Sequence, residues 1–227
     1  MNRGYFNAAI MCMSIFAAGA IMLGIAPNFI IMMEEFGVGA MGVGFLTMAF
    51  ILGFVAFGGL MYFRATKFMG LNLRKIVAVG TAYVGIFGIL TAFADYWTMW
   101  VLRFIIGFSS IMLSVCMMSL AVNWFIDKLN TIALAGIISL ILGGVVATFF
   151  GSMITQALPS VDLYFIGILT GGWRCMHLIF GGIGLLAFIL WIIFGKSAPT
   201  ANDGSGLVSS NNQPPRILKN RYVWCSA

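Results

Sequence analysis

The sequence predicts an all-α fold: a polytopic transmembrane helical bundle with six spans. Of its 227 residues, 62% are hydrophobic and only 8% are charged. A soluble domain carries about 25% charged residues, because its surface must be wet. Several uncharged runs reach the roughly 20 residues that cross a bilayer as a helix. Each span must be helical, because lipid offers no partner for an unpaired backbone amide.

Six segments have the length and apolar character of a membrane span. They run from about Tyr5 to Met33, Val38 to Phe63, Ile76 to Ala94, Trp97 to Val122, Thr131 to Ala157, and Trp173 to just before Lys196. The stretch Leu163–Thr170 is apolar but too short to span, so it either extends a helix or lies at the interface. We therefore expect residues 1–196 to form one six-helix transmembrane domain.

The charged residues alternate between the breaks that separate these segments. Basic residues mark one end of the predicted bundle: Arg3, the stretch Arg64–Lys75, Lys128 and Lys196. Acidic residues mark the other: Glu34, Glu35, Asp95 and Asp162. Cationic loops stay in the cytoplasm, so we expect a cell-membrane protein with both termini cytoplasmic. Membrane topology therefore explains the net charge of +6, because the basic residues lie between the spans. We expect no nucleic-acid partner. Arg174, at the outer mouth of the sixth segment, is expected to anchor a helix end.

The composition changes after Lys196. Asp203–Gly206 and Pro214-Pro215 are typical of a flexible polar chain. The basic and aromatic stretch Arg216–Trp224 has the pattern with which a further span begins. We therefore expect residues 197–227 to form a flexible cytoplasmic tail that leads towards a seventh helix.

Arg103 is the charged residue whose position most needs an explanation, because it lies inside the fourth segment. On insertion scales an arginine at mid-helix costs about 2.5–3.5 kcal/mol. It falls at helical spacing with Ser110 and Ser114, and such a polar stripe fits the wall of a water-filled cavity. Its candidate partners are Asp95, a solute anion, a backbone carbonyl or a group outside this chain. The alternative is an arginine that snorkels to the outer interface.

Asn28 and His177 are the other polar residues of interest within the spans. Asn28 follows Pro27 near the outer end of the first segment, where it either lines the cavity or caps a helix at the interface. His177 shares a helical face with Gly181 and Gly184 and therefore faces another helix. It is either a packing residue or a carrier of a proton.

No constellation in the sequence has the pattern of a catalytic or metal site. The four cysteines, Cys12, Cys116, Cys175 and Cys225, form no Cys-x-x-Cys pair and are interpreted as small apolar side chains. The sequence has no nucleophile–base pair, phosphate-binding loop or paired catalytic carboxylates. We therefore expect no enzymatic activity, no cofactor and no bound metal.

Several short motifs, taken in order, resemble the major facilitator superfamily of secondary transporters, specifically its amino-terminal half. Arg103 and Gly107 are similar to the arginine and glycine near the start of that family's fourth helix. Asn123–Phe125 resembles the Trp-Phe that often ends the same helix. Gly172–Arg174 opens the sixth helix as in many members.

The basic stretch between the second and third segments matches the position of the family's loop signature. That signature combines glycines with an acidic residue and basic residues, and Gly59, Gly70, Arg74 and Lys75 are its counterparts here. The acidic residue is missing from the stretch. The resemblance therefore assigns these residues to a gating loop, with Asp127 as the acidic partner from the turn after the fourth segment.

The resemblance implies a secondary active transporter of a small solute. An anionic solute, held by Arg103, and a coupling proton or ion belong to this expectation. Full members have two six-helix halves with the site between them, so we expect the amino-terminal half of a truncated transporter. Its partners are then the lipid bilayer, the solute, and the missing carboxyl-terminal half or a second copy. The alternative is a non-transporting membrane fragment or a partner-binding membrane subunit.

Overall fold

The computed structural model describes residues 3–69, 72–157, 162–163, 168–169 and 172–196, with the side chains of 62–69, 123, 126, 162–163 and 168–169 left out. The helices are α1 (Arg3–Leu23), α2 (Phe29–Phe36), α3 (Ala40–Met69), α4 (Leu73–Thr91), α5 (Tyr96–Trp124), α6 (Leu129–Ala157) and α7 (Trp173–Phe194). Within the described residues, six helical segments are long and apolar enough to cross a membrane. The predicted six-span helical bundle is confirmed.

The first span is one apolar segment, Arg3–Phe36, but it is not one helix. α1 stops at Leu23, a 3-10 turn occupies Ala26–Asn28, and α2 follows. Pro27 lies inside this turn, and it interrupts the helix because it has no backbone N–H to donate. α2 ends at Phe36 and is capped by Gly37, whose positive φ of 63° places it in the left-handed conformation.

The basic stretch Arg64–Lys75 is mostly helical, which corrects its interpretation as a loop. α3 continues to Met69, and α4 begins at Leu73 after Asn72, whose side chain accepts a hydrogen bond from the Arg74 amide at 3.0 Å. Lys and Arg are good helix formers and interact favourably with a helix carboxyl end. A helix that leaves the apolar layer therefore need not end there.

The apolar stretch after α6 does not extend a helix in its described part. β1 (Asp162–Leu163) and β2 (Ile168–Leu169) pair as a short antiparallel ladder. Asp162 lies opposite Leu169, and Leu163 lies opposite Ile168. The ladder belongs to the connection between α6 and α7.

Glycines set the closest helix contacts, beginning with the crossing of α1 and α6. A Cβ atom at Gly19 would overlap the carbonyl oxygen of Leu140, and one at Gly143 would overlap the carbonyl oxygen of Phe16. Backbone therefore meets backbone at this crossing. Small residues allow such close approach, which is the main source of helix–helix attraction in a membrane.

The crossing of α3 and α5 has the same reciprocal arrangement. A Cβ atom at Gly53 would overlap the carbonyl oxygen of Phe104, and one at Gly107 would overlap that of Phe50. The third such crossing joins α4 to α7 and contains Gly85, Gly88, Gly181 and Gly184. In each pair the two contacting positions on a helix lie three residues apart, so the crossings are built alike. α1 and α5 are the most buried of the spans.

The two ends of the bundle carry the charges that the sequence assigned to them. At one end, the Lys128 ammonium donates to the Tyr5 hydroxyl at 3.1 Å, and Asn7 donates to the carbonyl oxygen of Lys196 at 3.1 Å. At the other end, Glu35 contacts Arg174. The orientation of these ends relative to the membrane stays a prediction.

Candidate solute site at the break in the first span

Arg103 lies on α5, and its side chain is completely buried between helices. Its Nε donates to the carbonyl oxygen of Leu46 at 2.9 Å, and its Nη2 donates to that of Met22 at 2.6 Å. At a rise of 1.5 Å per residue, Arg103 lies roughly 10 Å inside the start of α5. It does not extend to the interface as a snorkelling side chain would. The guanidinium therefore connects α5 to both α1 and α3.

The broken first span supplies one of these carbonyl groups. Met22 belongs to the last turn of α1, where carbonyl oxygens have no partner further along the helix. The Arg103 guanidinium provides that partner. Leu46 lies inside α3, so its carbonyl oxygen accepts a second hydrogen bond beside that of its own helix. Among the candidate partners that the sequence offered for Arg103, the structure shows backbone carbonyl groups.

Asp95 is not one of these partners. It lies immediately before α5, and a hydrogen bond from the Thr98 side chain lowers the pKa of its carboxyl group. In the described part of the chain, Arg103 forms no ion pair.

Asn28 lies in the same break and is buried. Its side-chain amide donates to the carbonyl oxygen of Gly24 at 3.0 Å, and its side-chain oxygen accepts from the Thr155 hydroxyl at 2.6 Å. The amide nitrogen also lies 3.9 Å from the sulfur of Met176. Asn28 therefore joins the break to α6 and α7. Thr155 and Met176 were not identified from the sequence, because neither has a motif around it.

The serines of the predicted polar stripe bond within their own helix. The Ser110 hydroxyl donates to the carbonyl oxygen of Ile106 at 3.0 Å, and the Ser114 hydroxyl donates to that of Ser110 at 2.9 Å. Ser110 is buried, whereas Ser114 is half-buried. Such bonding to the preceding turn is the usual way for a serine to be satisfied inside a helix. The structure thus places Arg103 with α1 and α3 rather than with a row of free hydroxyl groups.

Four buried side-chain polar atoms have no hydrogen-bond partner in the described part of the structure: Ser14 Oγ, Arg103 Nη1, Trp124 Nε1 and His177 Nε2. His177 uses its other ring nitrogen, which lies 3.1 Å from the carbonyl oxygen of Trp173. Buried polar groups in proteins normally have partners, so such atoms call for an explanation, such as a bound ligand or water. A guanidinium N–H can only donate, so its missing partner is an acceptor.

Four of the five predicted gating residues lie in the described part of the chain: Gly59, Arg74, Lys75 and Asp127. Gly59 lies within α3, where a Cβ atom would meet nothing within 4 Å, and Gly70 lies outside the described residues. Arg74 lies in the first turn of α4 and donates to the carbonyl oxygen of Ile192 at 3.1 Å. Lys75 and Asp127 are exposed, and no ion pair joins Asp127 to Arg74 or Lys75 among the described contacts.

At the opposite end, Arg174 was predicted to anchor a helix end, but its partners in the clamp that holds this end were not predicted from the sequence. The Glu35 carboxylate of α2 accepts from Trp173 Nε1 at 2.6 Å and from Arg174 Nε at 3.1 Å, and it also contacts Arg174 Nη2. Arg174 Nη1 donates to the carbonyl oxygen of Ala92 at 2.7 Å. The clamp ties α2 and the end of α4 to the start of α7. The sequence indicated that Arg174 anchors a helix end and that Glu35 falls at the same predicted end, but not that the two residues pair.

Six helical segments long and apolar enough to cross a membrane define a multi-pass membrane protein. The sequence profile of the Major Facilitator Superfamily matches residues 9–226. The match covers nearly the whole chain, so the chain belongs to this family, and the resemblance inferred from its motifs is confirmed. A comparison with curated proteins found no match.

Proposed function

We propose that the chain is the amino-terminal half of a secondary active transporter of a small anionic solute, and that Arg103 is the group that attracts the anion. The observation that supports this most is the unpaired Nη1 of a fully buried guanidinium. Two of its nitrogens are fixed by the carbonyl oxygens of Leu46 and Met22. The third is left to donate to a solute oxygen.

The interrupted first span supports the same proposal. In secondary transporters, solutes and coupling ions bind where a membrane helix is discontinuous, between the two halves of the protein. Here the break at Ala26–Asn28 lies beside Arg103, because the guanidinium bonds to the last turn of α1. Asn28, Ser110 and Ser114 are proposed as further residues of the solute path. A coupling proton or ion is part of the proposal.

The orientation in the membrane and the partner that supplies the second wall of the site complete the proposal. We place the protein in the cell membrane with both termini in the cytoplasm, because the basic residues collect at the end where α1 begins. The second wall of the site is proposed to come from a carboxyl-terminal half or from a second copy of this chain. Arg74, Lys75 and Asp127 are proposed to act at the cytoplasmic ends of the helices during gating.

A binding experiment tests the role of Arg103. The purified chain is heated in detergent with each of a panel of small carboxylates and inorganic anions, and its melting temperature is recorded. We expect at least one anion to raise it and Arg103→Lys to abolish that rise. A lysine cannot keep both carbonyl contacts and still present a planar donor. Lys128→Gln, which also alters a cation but an exposed one, should leave the rise unchanged. A rise that persists in Arg103→Lys would remove Arg103 from the site.

A transport experiment tests the half-transporter. Purified chain in liposomes, without a partner, should show no solute counterflow for the anion that stabilises it. Robust counterflow would show that the chain, alone or as a pair of copies, encloses a complete path.

A further inference from the structure

A cavity of about 340 Å³ opens at the end of the bundle where α1 begins and α7 ends. Its lining has two cationic side chains and three apolar ones: Arg3, Phe6, Ile193, Phe194 and Lys196. Its size falls within the range of small-molecule sites, about 300–1,000 Å³. It lies apart from Arg103, at the opposite end of α1 from the break in the first span.

The two cations have no counter-charge within the described residues, where the Arg174–Glu35 pair is the one ion pair. Two nearby carbonyl groups already have donors. The carbonyl oxygen of Lys196 accepts from Asn7 at 3.1 Å, and that of Ile192 accepts from Arg74 at 3.1 Å. The amino end of α1 adds the positive end of a helix dipole to the same region. An anion is therefore the ligand that this charge favours.

The apolar side of the cavity faces outward. Ile193 is 62% exposed and Phe194 is 51% exposed. The Phe194 ring packs edge-on against the Phe6 ring, with their centroids 5.4 Å apart. On a membrane span, an exposed apolar face of this kind meets acyl chains. A freely soluble anion would gain nothing from these side chains.

We propose that this cavity binds the headgroup phosphate of an anionic phospholipid. The Arg3 guanidinium and the Lys196 ammonium contact the phosphate oxygens, and the acyl chains lie along Ile193 and Phe194. Basic pockets at the ends of membrane helices recognise anionic headgroups in this way. The proposal depends on the membrane embedding of the bundle and not on the transport of any solute.

The test measures bound lipid on the purified protein. The chain in detergent is titrated with phosphatidylglycerol or phosphatidylcholine, and bound lipid is counted by native mass spectrometry. We expect a preference for phosphatidylglycerol, and a roughly thirtyfold weaker affinity for it in the variant Arg3→Gln/Lys196→Gln, because each cation contributes to anionic-lipid affinity. The charge-preserving variant Arg3→Lys/Lys196→Arg should retain the preference, which guards against a folding defect.

Matched controls separate a site from general surface charge. The variant Lys75→Gln/Lys128→Gln removes the same charge from the same end of the bundle, outside the cavity lining, and should bind phosphatidylglycerol as the original does. An equal loss in both double variants would overturn the proposal. Inorganic phosphate at millimolar concentration should not displace the lipid. Complete displacement would overturn it too, because the cavity would then be a site for free phosphate.

Discussion

Gly53→Ala is the sharpest perturbation of the helix packing. An alanine Cβ at this position would overlap the carbonyl oxygen of Phe104 and lie 2.9 Å from the Phe108 amide nitrogen. Real Cβ atoms essentially never approach another atom within 3.0 Å. The obstacle is backbone and cannot rotate away, so α3 and α5 must separate by roughly 1 Å and lose dispersion contacts along the crossing.

The expected change in the free energy of unfolding of Gly53→Ala follows from two opposing effects. Overpacking of a core costs about 1–3 kcal/mol, and a backbone obstacle favours the upper part of this range. Alanine in a helix interior recovers up to about 1 kcal/mol over glycine. We therefore expect a net loss of about 2 kcal/mol for Gly53→Ala. Gly58 lies five residues further along α3, and a Cβ atom there would have nothing within 4 Å. Gly58→Ala should therefore show only the gain in stability that alanine gives over glycine in a helix.

The assay compares the thermal unfolding of the two variants in one detergent. For a chain of this size, each kcal/mol shifts the midpoint by about 2–4 °C, so Gly53→Ala should melt about 4–8 °C below the original protein. Gly58→Ala should melt at or slightly above it. Equal midpoints for the two variants would refute the close crossing of α3 and α5.

Two further predictions concern the ends of the bundle. Glu35→Ala leaves the buried Trp173 N–H without an acceptor and should cost about 1–3 kcal/mol in thermal unfolding. Glu35→Gln keeps that acceptor and loses only a partly exposed ion pair, so it should cost less than about 1 kcal/mol. An equal loss of stability in Glu35→Ala and Glu35→Gln would show that the charge, and not the Trp173 hydrogen bond, stabilises the clamp. In intact cells, a membrane-impermeant thiol reagent should label Asp95→Cys but not Lys128→Cys, and labelling of Lys128→Cys would reverse the proposed orientation.

The spans were predictable because hydropathy and charge act along the chain. A run of apolar residues must become a helix in lipid whatever it packs against, and so α5 and α7 begin within a residue of where the sequence placed them. The polar stretch after Phe63 was interpreted as a loop because polarity was taken to end the helix. α3 nevertheless continues to Met69, since leaving lipid removes only the requirement for a helix and not the preference for one.

The contacts of the candidate site were less predictable, because they involve backbone groups and distant residues. Arg103 was found as a costly charge, yet its partners are carbonyl oxygens, which every residue has. Asn28 was noticed beside Pro27, but its bond to Thr155 spans 127 residues of sequence. The serines were predicted to lie along a cavity wall, and the bonds that their hydroxyl groups form with the preceding turn of the helix were not predicted.

The reciprocal glycine crossings determine where this bundle is stiff. Where main chain contacts main chain, no layer of side chains can repack when one helix slides against the other. We therefore expect three rigid helix pairs: α1 with α6, α3 with α5, and α4 with α7. Bending is easier where a helix has already lost its internal hydrogen bonds, and in the first span that is the turn around Pro27. A conformational change of this bundle should therefore leave the middle of these helix pairs intact and be concentrated beside the last turn of α1, next to Arg103.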